Sequence, residues 1–215
     1  MKLIIFDLDG TLIDSARDIA RSVNELLETL GHRAQPLSRI ESYIGNGVGT
    51  LLARSLPENN PGELAQIREM YLAIYRRHLL DTTRAYVGVE ETLKKLSADH
   101  SLAVLTNKPR AETRLILDGL GLSRYFCATH GGDSFPRRKP DPMGVEHILD
   151  ETEATAETTL FVGDSSVDFE TAANAGVACC LVSYGIGSEE AKTLPARYRV
   201  DRPEELISIV QGDRS

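Results

Sequence analysis

Hydrophobic positions change period along the chain. "LIIF" (3–6) is uninterrupted and β-prone, as suits a strand buried on both faces. From there to about residue 82 the period is helical. In "ARDIARSVNELLETLG" (16–31), Ile19, Val23, Leu26, Leu27 and Leu30 fall on one face. Asp14 or Ser15 can cap the start, and Gly31 can end it. "SRIESYI" (38–44) and "VGTLLARSL" (48–56) read as two short helices around "GNG". "PGELAQIREMYLAIYRRHLL" (61–80) reads as a longer one, facing inward through Leu64, Ile67, Tyr71, Ile74 and Leu79. No strand signal stands out between 15 and 82.

After "YVGV" (86–89) strands and helices alternate. Helices are expected over 89–98, 110–120, 142–150, 167–175 and 203–211, and strands over 102–105, 125–129, 159–163 and 178–182. This alternation predicts an α/β fold: a doubly wound parallel sheet with crossover helices on both faces. "LIIF" needs cover on both sides, so it joins the same sheet, and the all-helical stretch becomes an insertion. The expected division is a core of 1–14 plus 83–215 and a helical domain of 15–82, with joints near 14–17 and 80–87.

Composition narrows the function. Lys and Arg total 24 against 32 Asp and Glu, a net charge of −8 that argues against nucleic-acid or anionic-membrane binding. Cys127, Cys179 and Cys180 lie in apolar, strand-like surroundings and read as core residues; an odd count fits a reducing compartment. "LIIF" falls short of the roughly 7–15 apolar residues of a signal segment, and no run reaches the roughly 18 of a membrane helix. A cytoplasmic protein is expected. The five histidines show no ligand spacing; His130 lies near a possible rim, but a loop or core role is favoured. Oligomeric state is not readable.

Ligands of open parallel sheets bind beyond the carboxyl ends of the strands. The residues following the expected strands are Asp7 and Asp9; Thr106, Asn107 and Lys108; "HGGDS" (130–134); and Asp164, Ser165 and Asp168. "DG" at 9–10 is also a common turn dipeptide. A calcium loop counted from Asp7 fails, because Gly10 stands at its fourth position and Asp18 at its twelfth. Asp164 and Asp168, four apart at a helix start, can face the same rim as Asp7 and Asp9. Such a carboxylate cluster needs a cation, and hard oxygen donors without nearby His or Cys favour Mg²⁺ over zinc. Lys139, before an expected helix, can neutralise a carboxylate and a phosphoryl oxygen. Thr106 and Asn107 suit phosphate oxygens, or cap the helix from about 110. "GNG" (45–47) matches neither a dinucleotide fingerprint nor a phosphate loop, and without further context reads as a helix end and turn.

"DLDGTL" (7–12), "LTN" (105–107), "KPDP" (139–142) and "GDSSVD" (163–168) resemble, in order, the four motifs of the haloacid dehalogenase superfamily. The resemblance covers nearly the whole chain, with the helical insertion as a cap domain. It implies that Asp7 is a nucleophile forming an aspartyl-phosphate and Asp9 a general acid, then base. It also implies a Mg²⁺ held by the Asp7 carboxylate, the Asp9 carbonyl and Asp164, with Asp168 near. Thr106, Asn107, Lys139 and the amides of Asp9 and Gly10 would serve the phosphoryl oxygens. "YIGNGVGTLL" (43–52) with "LTNKP" and "GGDS…KP" resembles the phosphoglycolate phosphatases, which implies that Gly45, Asn46 and Gly47 face a small carboxylate. The expectation is a Mg²⁺-dependent phosphatase for a small phosphate monoester, with 2-phosphoglycolate foremost. Pyrophosphate, a sugar phosphate or a nucleotide as substrate, a phosphomutase, or a non-enzymatic binding module are the rival readings.

Overall fold

The structure is a computed structural model that describes residues 1–57, 64–187 and 191–212. Its centre is a six-stranded, all-parallel sheet. The strands are β1 (Leu3–Phe6), β4 (Ser101–Leu105), β5 (Ala128–His130), β6 (Thr159–Gly163), β7 (Ala178–Val182) and β8 (Tyr198–Val200), in spatial order β5-β4-β1-β6-β7-β8. The chain builds outward from β1 through β4 to β5, returns to β6 on the other side of β1, and continues to β7 and β8. The winding direction therefore reverses at β1, which opens a crevice at its carboxyl end.

Every residue of β1 is buried, and its side chains alternate between the two layers beneath the helices. Ile4 and Phe6 enter one apolar cluster, Leu3 and Ile5 the other. Cys179 and Cys180 likewise point to opposite faces of β7, both buried. Cys127 departs from expectation: it is exposed and precedes β5. Residues 123–125 form a 3-10 turn and the edge strand starts only at Ala128, so apolar character at Tyr125 and Phe126 marks partial packing under a loop. The short β8 was missed because three residues with one buried side chain carry no periodic signal.

Between β1 and β4 lie α1 (Ala16–Thr29), α2 (Leu37–Glu41), α3 (Gly47–Ser55) and α4 (Leu64–His78), followed by α5 (Val89–Leu96). α1 turns Ile19, Val23, Leu26 and Leu27 inward, and α4 turns Ile67, Tyr71, Ile74 and Tyr75; Leu64 is exposed instead of facing the core. Residues 61–63 of the expected fourth helix lie outside the described residues. Gly31, with φ +77°, ends α1 as His32 N–H bonds the Leu27 carbonyl at 2.8 Å.

The helical segment leaves and rejoins the core at one place. Ile13–Asp14 (β2) and Arg84–Ala85 (β3) pair antiparallel, a ladder the sequence reading did not contain. Next to it, the buried Asp18 carboxylate accepts the backbone N–H and hydroxyl of both Thr82 and Thr83 at 2.7–3.1 Å. Burial works against this charge, but those donors outweigh it and hold its pKa below the ordinary value. Completing the sheet's cover are α6 (Arg110–Gly119), α7 (Met143–Thr152), α8 (Ser166–Asn174) and α9 (Glu205–Gly212). No helix among the described residues is long and apolar enough to cross a membrane.

Candidate active site

The turns after β1, β4 and β6 meet because those strands are neighbours in the sheet. Asp7 N–H still bonds the Val162 carbonyl at 2.9 Å, which places its side chain at the last rung of the ladder. Gly10 takes φ +89°, and a Cβ there would run into the Asp164 carboxylate. Close approach of this turn to β6 therefore requires glycine. Gly163 plays the same part for Asp168, whose Cβ and carboxylate occupy the space a side chain would need.

Asp7, Asp164 and Asp168 offer carboxylate oxygens within 4.8 Å of one another, all buried. Lys139 Nζ stands 2.6 Å from Asp168 Oδ1 and 2.8 Å from Asp7 Oδ1. Lys139 donates to Asp168 Oδ1, and its ammonium is ion-paired with Asp7 Oδ1. Burial raises the Asp7 pKa to about 6; Lys139 pulls it down, and Asp168 and Asp9 push it up. Burial, then Asp168 and Asp7, drive Asp164 well above the usual carboxylate range. Burial disfavours the Lys139 ammonium, but Asp168 and Asp7 prevail and hold it above lysine's ordinary value.

Asp168 is largely spoken for. Its Oδ2 accepts Asp164 N–H, Ser165 N–H and Ser165 Oγ at 2.7–3.2 Å, and its Oδ1 takes Lys139. It starts α8 and aims Lys139, and it accepts more donors than Asp164 does. Asp164 accepts Thr11 Oγ1 at 3.2 Å and Gly187 N–H at 2.7 Å.

Lys108 follows β4 as Asp9 follows β1, each three residues beyond its strand, and Lys108 Nζ reaches both Asp9 oxygens at 2.9 Å. Its ammonium lies 4.8 Å from the centre of the Tyr75 ring. Ser15 donates to Asp9 Oδ1 at 2.5 Å, so its hydroxyl makes no cap bond to α1; Asp14 accepts Ala16 N–H instead. Lys108 and Thr11 have no role in the sequence reading, and Ser15 only that of a possible helix cap. The equal offset of Asp9 and Lys108 on neighbouring strands was the available signal for Lys108.

Thr106 is buried, its N–H tied to the His130 carbonyl and its Oγ1 accepting Lys108 N–H, so it does not cap α6. Asn107 spans the two parts of the chain: its Nδ2 donates to the Gly45 carbonyl at 3.0 Å and the Lys139 carbonyl at 3.1 Å. Gly10 N–H is spent on the Ile13 carbonyl at 2.9 Å, so it is not free to meet a phosphate oxygen in this conformation.

Above Asp7 and Asp9 lies a cavity roofed by Tyr43, Ile44, Val48, Leu51, Tyr71 and Tyr75 of the helical segment. Gly45 and Gly47 line it; Asn46 does not, standing instead at the start of α3. On the core side it is lined by Thr106, Asn107 and Lys108. Asn107 Oδ1 and Tyr75 Oη are buried, lack hydrogen-bond partners, and belong to lining residues. Such orphans cost roughly 1–3 kcal/mol each unless something binds them.

Carboxylates and lysines converging on the rim of a parallel sheet, beneath a helical insertion, define a hydrolase of a known kind. The model of the haloacid dehalogenase-like hydrolase family matches residues 4–182, and the chain belongs to that family. It is 40% identical over 190 residues to a phosphoglycolate phosphatase of Pseudomonas syringae pv. syringae, covering 86% of this chain and 70% of that protein. It is 36% identical to the phosphoglycolate phosphatase of Vibrio cholerae, covering 88% of each. The crystal structure of a predicted phosphoglycolate phosphatase from Haemophilus somnus superposes with a TM-score of 0.92 at 31% identity, covering 98% of both chains.

Proposed function

We propose that this protein is a Mg²⁺-dependent phosphatase that hydrolyses a small phosphate monoester, foremost 2-phosphoglycolate to glycolate, through an aspartyl-phosphate. The observation that carries the reading is Asp7: a buried carboxylate ion-paired with Lys139 and within 4.8 Å of the carboxylate oxygens of Asp164 and Asp168.

The donor set fits a hard divalent ion. Four buried carboxylates, Asp7, Asp9, Asp164 and Asp168, face two lysines, Lys108 and Lys139, an excess of two negative charges if all are ionised. Asp7, Asp164 and the Asp9 carbonyl would hold Mg²⁺, with Asp168 behind. When bound, the ion screens the repulsion between Asp7 and an anionic phosphate and stabilises charge on the phosphoryl oxygens.

The chain's own residues supply the chemistry. Asp7 attacks phosphorus, and the P–O bond to the leaving group breaks as Asp9 gives that oxygen a proton. Asp9 then takes a proton from the water that attacks the aspartyl-phosphate, and inorganic phosphate leaves. Lys139 and the Thr106 hydroxyl stabilise the equatorial oxygens as charge spreads over them. Lys108 and Ser15 fix the Asp9 carboxylate. Residues 15–82 act as a cap domain that excludes water while the phosphoryl group moves, and the joints near 14–17 and 80–87 are its hinge. At the start of α3, Gly45 and Gly47 bring backbone close to the leaving group. The partner is a small phosphate ester in the cytoplasm.

Free phosphate release with Mg²⁺ across 2-phosphoglycolate, pyrophosphate, sugar phosphates and nucleotides tests the reading. Highest kcat/KM is expected for 2-phosphoglycolate, without a bisphosphate primer; a sharp preference for a sugar phosphate overturns the substrate, and a primer requirement overturns hydrolysis. Asp7→Asn and Asp9→Asn are expected to fold and to lose turnover, Asp9→Asn by ~10²–10⁴-fold; near-normal rates in either would refute the roles.

A further inference from the structure

At the edge of the sheet, beside β5, His130, His147 and Glu151 bring a ring nitrogen or carboxylate oxygen each within 4.8 Å of one another. His147 and Glu151 are four residues apart on α7 and so share a face. His130 ends the edge strand β5, packed beside that face. We propose that these three side chains form a second metal site, selective for a borderline transition ion such as Zn²⁺ and separate from the aspartate cluster.

Four features support it. Two imidazoles and a carboxylate are a donor set that zinc favours and magnesium does not. His130 Nε2 and Glu151 Oε2 stand 3.0 Å apart. Ligands held about 2.0–2.2 Å from a tetrahedral ion are roughly 3.4 Å apart, so this pair needs to part by only a few tenths of an ångström to span a coordination edge. The rings are also held: His130 and His147 lie edge to face with centroids 5.4 Å apart, and Phe135 packs at 5.0 Å from each. Finally, the cluster is buried at one end and open at the other. The His130 side chain is 11% exposed and that of Glu151 44%, so an ion can arrive from solvent and keep water in its remaining positions.

Binding would replace the contact between His130 Nε2 and Glu151 Oε2 with two bonds to the ion. It would also cross-link β5 to α7. β5 pairs with β4, and the Thr106 N–H bonds the His130 carbonyl, so the ion would brace the strand that carries Thr106 and Lys108.

The test is Zn²⁺ binding to the purified full chain in excess Mg²⁺, which fills oxygen sites. Wild type is expected to bind one Zn²⁺ per chain that His147→Ala and Glu151→Gln lose or bind far more weakly. The loss of a ligand should cost at least the ~10–100-fold that loss of a supporting group costs. Zn²⁺ should also raise the Tm of wild type but not of His147→Ala, while the Mg²⁺-dependent activity of His147→Ala without Zn²⁺ stays at the wild-type level. Equal Zn²⁺ uptake by wild type and His147→Ala, or none by wild type, overturns the site.

Discussion

Asp9 and Lys108 show how much of the site rests on single pairs. Both are buried, and two bonds of 2.9 Å join them. Removing one partner strands the other charge away from water, so Lys108→Met is expected to lower stability by ~3–5 kcal/mol. Adding Asp9→Asn removes the stranded charge, and the double variant should recover most of the loss. Urea denaturation of the single and double variants measures this; additive losses would mean the pair is not coupled. Asp7, Asp9, Asp164 and Asp168 were visible because acids directly after apolar runs are anomalous. Lys108 stood in the same rim but was given no role, since a lysine at a loop usually reads as surface charge. Its partner lies 99 positions away.

Among elements, the paired joints β2 and β3 with the Asp18 clamp hold the helical segment to the core. Asp18 collects four groups of donors from Thr82 and Thr83, and Thr83 is fully buried. Asp18→Ala strands those N–H groups and should cost ~2–4 kcal/mol. The pH dependence has a definite sign. The folded pKa of Asp18 is below its ordinary value of 3.8, so its contribution is complete above that value. It is lost as pH falls through the lower, folded value. Thermal melts between pH 5 and strong acid should show the gap between wild type and Asp18→Asn narrowing only below about pH 4; a gap constant down to the lowest pH would contradict the clamp's ionic character. α1 was legible from its apolar stripe and Gly31. The β2–β3 ladder was not, because two-residue strands have no period to detect.

For the whole molecule, the carboxylate cluster is a store of unfavourable electrostatics in the folded chain. Burial holds Asp7 and Asp164 above the usual range, so a divalent ion that binds only the native state stabilises it. At 100 times its dissociation constant, Mg²⁺ should contribute ~2.7 kcal/mol and raise Tm by about 5–10 °C. Asp164→Asn should blunt the shift, and chelation should stop turnover. Calorimetry with and without Mg²⁺ decides; an unchanged Tm would remove the ion from the account.

The period of apolar residues determined the alternation of strands and helices, the inserted helical stretch and the acids at strand ends, because these depend on neighbours in the chain. Tertiary structure alone decided which strand ends touch. The order β4-β1-β6 sets Thr106, Asp7 and Asp164 side by side and lets Lys139 fall between Asp7 and Asp168. It also brought His130 to His147 and Glu151, a grouping invisible to spacing. The physical reason is that hydrophobic patterning specifies which face of an element is buried, whereas strong short-range electrostatics act between side chains that only the sheet's winding makes neighbours.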